Sequence, residues 1–173
     1  MAQIQWKLPE ILLALFDYWH SKRLGAGLPG VAAIARGDIP QIEPHLMLLA
    51  PLWGGEDFCY RFMGAAVIQA TGLDCTGKRM TEVLPVGPYL DYLLGLNREV
   101  MAERKPLYSE SSFRSDRLSM RWTCRIILPL SEAPSGVDMI MAAQVFGGPS
   151  PIAPVPSFSA MTEFEEGVRV LLD

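Results

Sequence analysis

The sequence predicts an α+β fold: a five-stranded antiparallel sheet with short helices inserted between strands 2 and 3, preceded by a flanking helix. Three observations predict it. Two strand-like runs, "LMLLAPL" and "DFCYRFM", are separated only by Trp53-Gly54-Gly55-Glu56 and form a hairpin pattern. From residue 64 to 105 the alternation gives way to helical spacing. After residue 106 three more strand-like runs follow with no helix between them, and strands joined by such short turns must pair antiparallel.

The leading segment "LPEILLALFDYWHSKR" has Pro9 in a permitted first-turn position and Leu8, Ile11, Leu12, Leu15 and Trp19 at helical intervals. Leu13 and Phe16 widen its apolar stripe beyond one face, which predicts burial on two sides, one of them against a second copy or against the chain's own tail. "GAGLPG" ends the helix, and "DIPQIEPHL", with two prolines, has room only for a brief helical turn. In the hairpin, Phe58, Tyr60 and Phe62 alternate with Cys59, Arg61 and Met63. The helical region comprises "GAAVIQATG", "MTEVLP" and a longer stretch from Pro88 to Arg104 with Tyr89, Tyr92, Leu93, Leu96 and Val100 in register. The closing strands are "PLYSESSFR", "SMRWTCRIILPL" and "GVDMIMAAQVF", and the Pro-rich "GGPSPIAPVPS" leads to "SAMTEFEEGVRVLLD", expected as a short helix with acidic residues in its first turn.

At 173 residues, half of them apolar, the chain has enough length for one domain and an appendage. A formal charge of −4 with no Lys/Arg block gives no electrostatic reason to bind nucleic acid or an anionic membrane. The apolar run "ILLALF" is too short for a membrane span or a signal core, so a cytoplasmic protein is expected. Cys59, Cys75 and Cys124 have neither disulfide-framework nor C-x-x-C spacing and are expected as reduced thiols in or near a core.

"GLDCTGKR" comes one residue short of a phosphate-binding loop: Gly72, Gly77 and Lys78 are in place, but Arg79 stands where a Mg²⁺-ligating hydroxyl is needed. The segments before and after it lack the parallel strand and long helix such a loop requires, so a structural turn is expected. No G-x-S-x-G elbow, H-E-x-x-H motif or catalytic carboxylate pair occurs, and no enzymatic activity or metal site is expected.

Several of these stretches resemble a bacterial PAS-domain family. They are Tyr18, Trp19 and Arg23 on the leading helix, Asp38-Ile39-Pro40, Pro44-His45-Leu46, "YRFMG" with Tyr60, Arg61 and Gly64, "LDCTGK" with Asp74, Thr76 and Gly77, and "ILPLS", together spanning about residues 10 to 147. The resemblance implies a PAS-like sheet cupping a small cavity beneath the short helices, in a sensory and interaction module. It divides the chain into a leading helix and connector (1–35), a PAS-like core (36–147) and a Pro-rich tail (148–173). Photoreceptor PAS domains hold flavin with an "NCRFLQ"-like motif, whereas "LDCTGKRM" around Cys75 lacks its Asn, Arg and Gln; haem-binding ones place a His on the long helix, and none lies between Pro88 and Arg104. No cofactor is therefore expected.

The strand "MRWTCRIILPL" alternates Met120, Trp122, Cys124 and Ile126 with Arg121, Thr123 and Arg125, and the next strand carries Met139 and Met141 on one face. Tyr60, Phe62, Trp122, Cys124, Met139 and Met141 are the candidate lining of a pocket for a small apolar ligand, with ordinary core packing as the competing account. Arg61 and Asp74 are expected to form an ion pair tying strand 2 to the helical turn, and Leu13 and Phe16 to form a homodimer interface. No output domain follows the core, so the expected function is a sensory module reporting through an unknown signalling partner; the alternative is an interaction scaffold whose cavity is filled by its own side chains.

Overall fold

Pro9 stands at the start of α1, Glu10–Ser21, and spacings of three and four put Leu12, Leu15 and Trp19 on one face of it. All three are buried to 1% exposure or less, and burying each leucine contributes about 1.5–3 kcal/mol. The computed structural model describes residues 8–115, 121–147 and 161–173. After α1, 3-10 turns at Arg36–Asp38 and Glu43–His45 lead to the hairpin of β1, Leu46–Leu52, and β2, Asp57–Met63. Then come α2, Ala65–Thr71; α3, Met80–Val83; and α4, Pro88–Glu103. The remaining strands are β3, Leu107–Ser115; β4, Arg121–Leu130; β5, Met139–Gly147; and β6, Met161–Leu171.

The strands form one antiparallel sheet in the order β2-β1-β5-β4-β3-β6. The fold is α+β, as expected, but the sheet has six strands rather than five. The sixth lies in the tail, in the segment expected as a helix. Val168 and Val170 suit a pleated surface, and a register shift opposite Ser109 and Ser111 puts an extra residue into β6. Gly167 sits there because a Cβ would stand 3.1 Å from the Glu110 carbonyl oxygen. The bulge changes the phase of the strand. Phe164 precedes it and Leu171 follows it, yet both pack into the same core layer, so simple alternation is lost.

That layer lies between the sheet and α2–α4, with Met47, Leu49, Tyr60, Val67, Leu96 and Ile127 among its members. On the other face, α1 packs Leu12, Leu15 and Trp19 against Ile126, Leu128 and Met141. The result is three layers with the sheet in the middle. The Trp19 indole N–H donates to the Pro129 carbonyl at 2.9 Å, which fixes α1 across β4. Tyr18 and Arg23 act locally: the Tyr18 hydroxyl donates to Asp38 at 3.1 Å, and the Arg23 guanidinium bonds the Ala26 and Gly27 carbonyls.

Gly64 closes β2 and begins α2. A Cβ there would lie 2.5 Å from the Pro44 carbonyl carbon and closer still to the Glu43 and Pro44 carbonyl oxygens, so only glycine allows the 3-10 turn to approach. The turn containing Asp74, Thr76 and Gly77 docks on β2, but not through the expected ion pair. Arg61 is exposed and makes no ion pair among the described residues, and the Asp74 carboxylate instead accepts from the Thr76 N–H at 2.9 Å. Hydrogen bonds from Thr76 hold the Asp74 carboxyl below its ordinary value. The attachment is through main chain: the Gly77 N–H donates to Tyr60 at 2.7 Å and the Tyr60 N–H to Lys78 at 3.0 Å. A charge pattern cannot reveal a bond made by backbone groups.

Candidate functional site

Between the sheet and the inserted helices lies a cavity of about 30 Å³. Its floor is Met47, Leu49, Tyr60, Met63, Arg125, Ile127, Ala142 and Gln144 from the sheet, and its roof is Val67, Thr71, Met80, Tyr89, Leu93 and Asn97 from α2–α4. Tyr89, Leu93 and Asn97 share one stripe of α4 because they are four residues apart.

The strand register places polar side chains on an otherwise apolar floor. Arg125 pairs with Ser109 of β3 on one side and Gln144 of β5 on the other, so these residues share a face. Arg125 is 2% exposed. Its Nη1 and Nη2 donate to the hydroxyls of Ser109 at 3.4 Å and Ser111 at 3.1 Å, and its guanidinium lies 5.5 Å from the Tyr92 ring centroid. Its Nε has no hydrogen-bond partner, and among the described residues no carboxylate pairs with it. Leaving a charge buried without a counter-charge costs several kcal/mol by general experience. Arg169, on the same Tyr92 ring, provides the contrast: it is partly exposed and meets Glu99 at 3.1 Å and Glu166 at 3.6 Å.

The neighbours of Arg125 are neutral groups able to donate. Burial pushes the Tyr60 and Tyr89 phenols up despite the opposing Arg125 charge, so both stay protonated at neutral pH. Gln144 donates to Thr123 at 2.9 Å. Asn97 gives its amide hydrogen to the Leu93 carbonyl at 2.8 Å, while its buried Oδ1 lacks a partner. A wider hollow of about 470 Å³ lies near Trp19, Arg23, Arg104 and Lys105. There Lys105 is paired with Asp173 at 2.7 Å, and Arg23 and Arg104 bond main-chain carbonyls where water also reaches them, so the smaller cavity, with its buried cation, is the stronger candidate.

Of the six residues expected to line a pocket, Tyr60 lines this one. Phe62, Cys124, Met139 and Met141 lie on the opposite face of the sheet, in the layer covered by α1. Trp122 shares their phase and is 49% exposed, its ring packed over Gly147. The alternation holds along β4, but in β2 a register shift opposite Leu48 and Leu49 inserts an extra residue, so Tyr60 and Met63 face the cavity while Phe62 faces α1. Because α1 and α2–α4 bury both faces of the sheet, hydrophobicity does not distinguish the cavity side. Arg125 stood in the phase read as the polar face of that strand. Its flanking positions, Ser109 and Gln144, would have marked the cavity side had the strand register been known. Cys75 and Cys124 are buried, and desolvation pushes both thiols up, Cys124 to about 11, so neither is an activated nucleophile.

Among the described residues, no group of His, Cys, Asp and Glu could hold a metal ion, and no helix is long and apolar enough to cross a membrane. The phosphate-loop-like stretch is the turn docked on β2, followed by the four residues of α3. No protein-family model matches the chain. No curated protein matches it either.

Proposed function

We propose that the chain is a non-catalytic, PAS-like sensory module acting in the cytoplasm, which binds a small ligand between its sheet and inserted helices and reports through a partner. The observation that carries this reading is the cavity itself, at the position the sequence resemblance implies, with a buried guanidinium on its floor. Helices placed between β2 and β3 and a leading helix packed on the back of the sheet support it. A sensory module signals by changing what it binds when its ligand is present. Pairing through α1 is part of the proposal: Leu13 is 44% exposed, and Phe16, half-buried, stacks near Trp19 with ring centroids 6.2 Å apart.

A specific observation favours a second reading, that of an interaction scaffold. The cavity volume of about 30 Å³ corresponds to one or two waters rather than an organic molecule. The sensor reading requires Met47, Met63 and Met80 to move aside, which flexible thioether side chains do readily. Native mass spectrometry of gently purified protein, with and without an Ala142→Leu substitution that fills the cavity, separates the two. The sensor reading expects a bound small molecule, or one acquired from a metabolite mixture, that Ala142→Leu removes. Apo mass under every condition, with partner binding unchanged in a folded Ala142→Leu variant, supports the scaffold.

A further inference from the structure

We infer that the cavity takes a small monocarboxylate, its head bound by Arg125 and its apolar body laid against the methionines; this deepens the sensor reading and rests on it. The guanidinium carries a permanent positive charge, is 2% exposed and meets no carboxylate among the described residues. Its partners, two serine hydroxyls and the Tyr92 ring, are neutral.

Geometry narrows the anion. Nη1 and Nη2 each give one hydrogen to a serine, and Nε gives none within the protein. Nη2 has a second hydrogen beside the one given to Ser111, so Nε and Nη2 together can offer two N–H groups to one planar carboxylate in bidentate fashion. Charge narrows it further. Arg125 is the one charged side chain among the described residues lining the cavity, and Met47, Leu49, Met63, Val67, Met80 and Leu93 supply apolar walls. A dicarboxylate or phosphate would place unmatched negative charge against those walls, whereas a monoanion leaves the pair neutral.

The test sets acids against their uncharged amides: formate, acetate, butyrate and benzoate against formamide, acetamide, butyramide and benzamide, by titration calorimetry and thermal shift at equal ionic strength. At least one acid is expected to bind and stabilise the protein, with its amide weaker by about tenfold or more, the difference between charge-assisted and neutral hydrogen bonding. Arg125→Met is expected to remove that preference. The acid–amide comparison uses the natural protein, so it decides the matter even if the variant does not fold. Equal binding of acid and amide, or a preference that survives Arg125→Met, overturns the anion and leaves the sensor reading standing. Failure of all four acids to bind also overturns it, and the same failure with the amides and an apo mass removes the sensor reading as well.

Discussion

Replacing Gly64 with alanine adds one methyl group at the tightest point between the hairpin and the turn before it. Gly64 has φ −72° and ψ 154°, a conformation open to any residue, so the cost comes from contact alone. The new Cβ would meet the Glu43 and Pro44 carbonyls, backbone groups that cannot rotate away as a flexible side chain would. To reach an ordinary separation near 3.4 Å from the Pro44 carbonyl carbon, now 2.5 Å away, the turn must retreat by roughly 1 Å. That displaces Ile42 and Leu46, 1% and 0% exposed, and stretches the 2.8 Å bond from the Gly64 N–H to Leu46. Overpacking of about 1–3 kcal/mol and a lost hydrogen bond of about 1 kcal/mol give a total of about 3 kcal/mol. For a chain of this size the melting temperature should fall by about 6–12 °C. Urea unfolding followed by circular dichroism measures the loss, with Gly37→Ala as control, since nothing lies within 4 Å of a Cβ there. A Gly64→Ala variant as stable as Gly37→Ala would refute the close-approach argument.

Truncation before Met161 removes Phe164, whose ring lies 5.2 Å from Tyr89 and 4.8 Å from Tyr92, and is expected to lower the urea midpoint well below that of the full chain. An unchanged midpoint would mean that β6 contributes nothing to the fold. On alkaline titration, Cys124 has its thiol raised from 9.0 to about 11 by burial, so its contribution is complete below pH 9 and lost as pH rises toward 11. Thermal stability should therefore decline above pH 9, less steeply in Cys124→Ala, and a flat profile to pH 11 counts against this. The double substitution Leu13→Glu/Phe16→Glu is expected to turn a dimeric parent into a folded monomer by light scattering; a parent already monomeric at tens of micromolar removes the α1 interface.

Much of the fold could be read from the chain because local pattern and tertiary environment agree there. The hairpin of β1 and β2 falls where alternation and Trp53-Gly54-Gly55-Glu56 placed it, and α4 follows its helical stripe from Pro88. The sixth strand was hidden for a physical reason: Glu163, Glu165 and Glu166 look like the acidic first turn of a helix, and the bulge at Gly167 interrupts the period by which strands are recognised. The cavity was hidden in a different way. Cys124 and Arg125 are adjacent and both buried, on opposite faces of one strand, and only the helices packed on each side determine which faces the cavity. Asp57 belongs to this class of contact as well. Its buried carboxylate accepts from the Thr81 hydroxyl at 2.6 Å, joining β2 to α3 across 24 residues with no local signal.

The two borders of the sheet bear on how the molecule avoids self-assembly. An outermost strand with free N–H and C=O groups is a template onto which another chain can add, and continued addition leads to fibres. Here β6 occupies the outer side of β3 along most of its length, and its own bulge twists and interrupts the border it creates. At the far border, Gly77 and Lys78 take the outward hydrogen bonds of Tyr60 in the middle of β2. The docked turn on one border and the bulge on the other shorten the flat runs of open backbone that strand addition needs. Association at the described surface is then left to side chains, and the large apolar ones exposed there, Leu13 on α1, Leu24, Trp53 at the hairpin tip, Val86 and Trp122 on β4, are scattered over separate parts of the molecule.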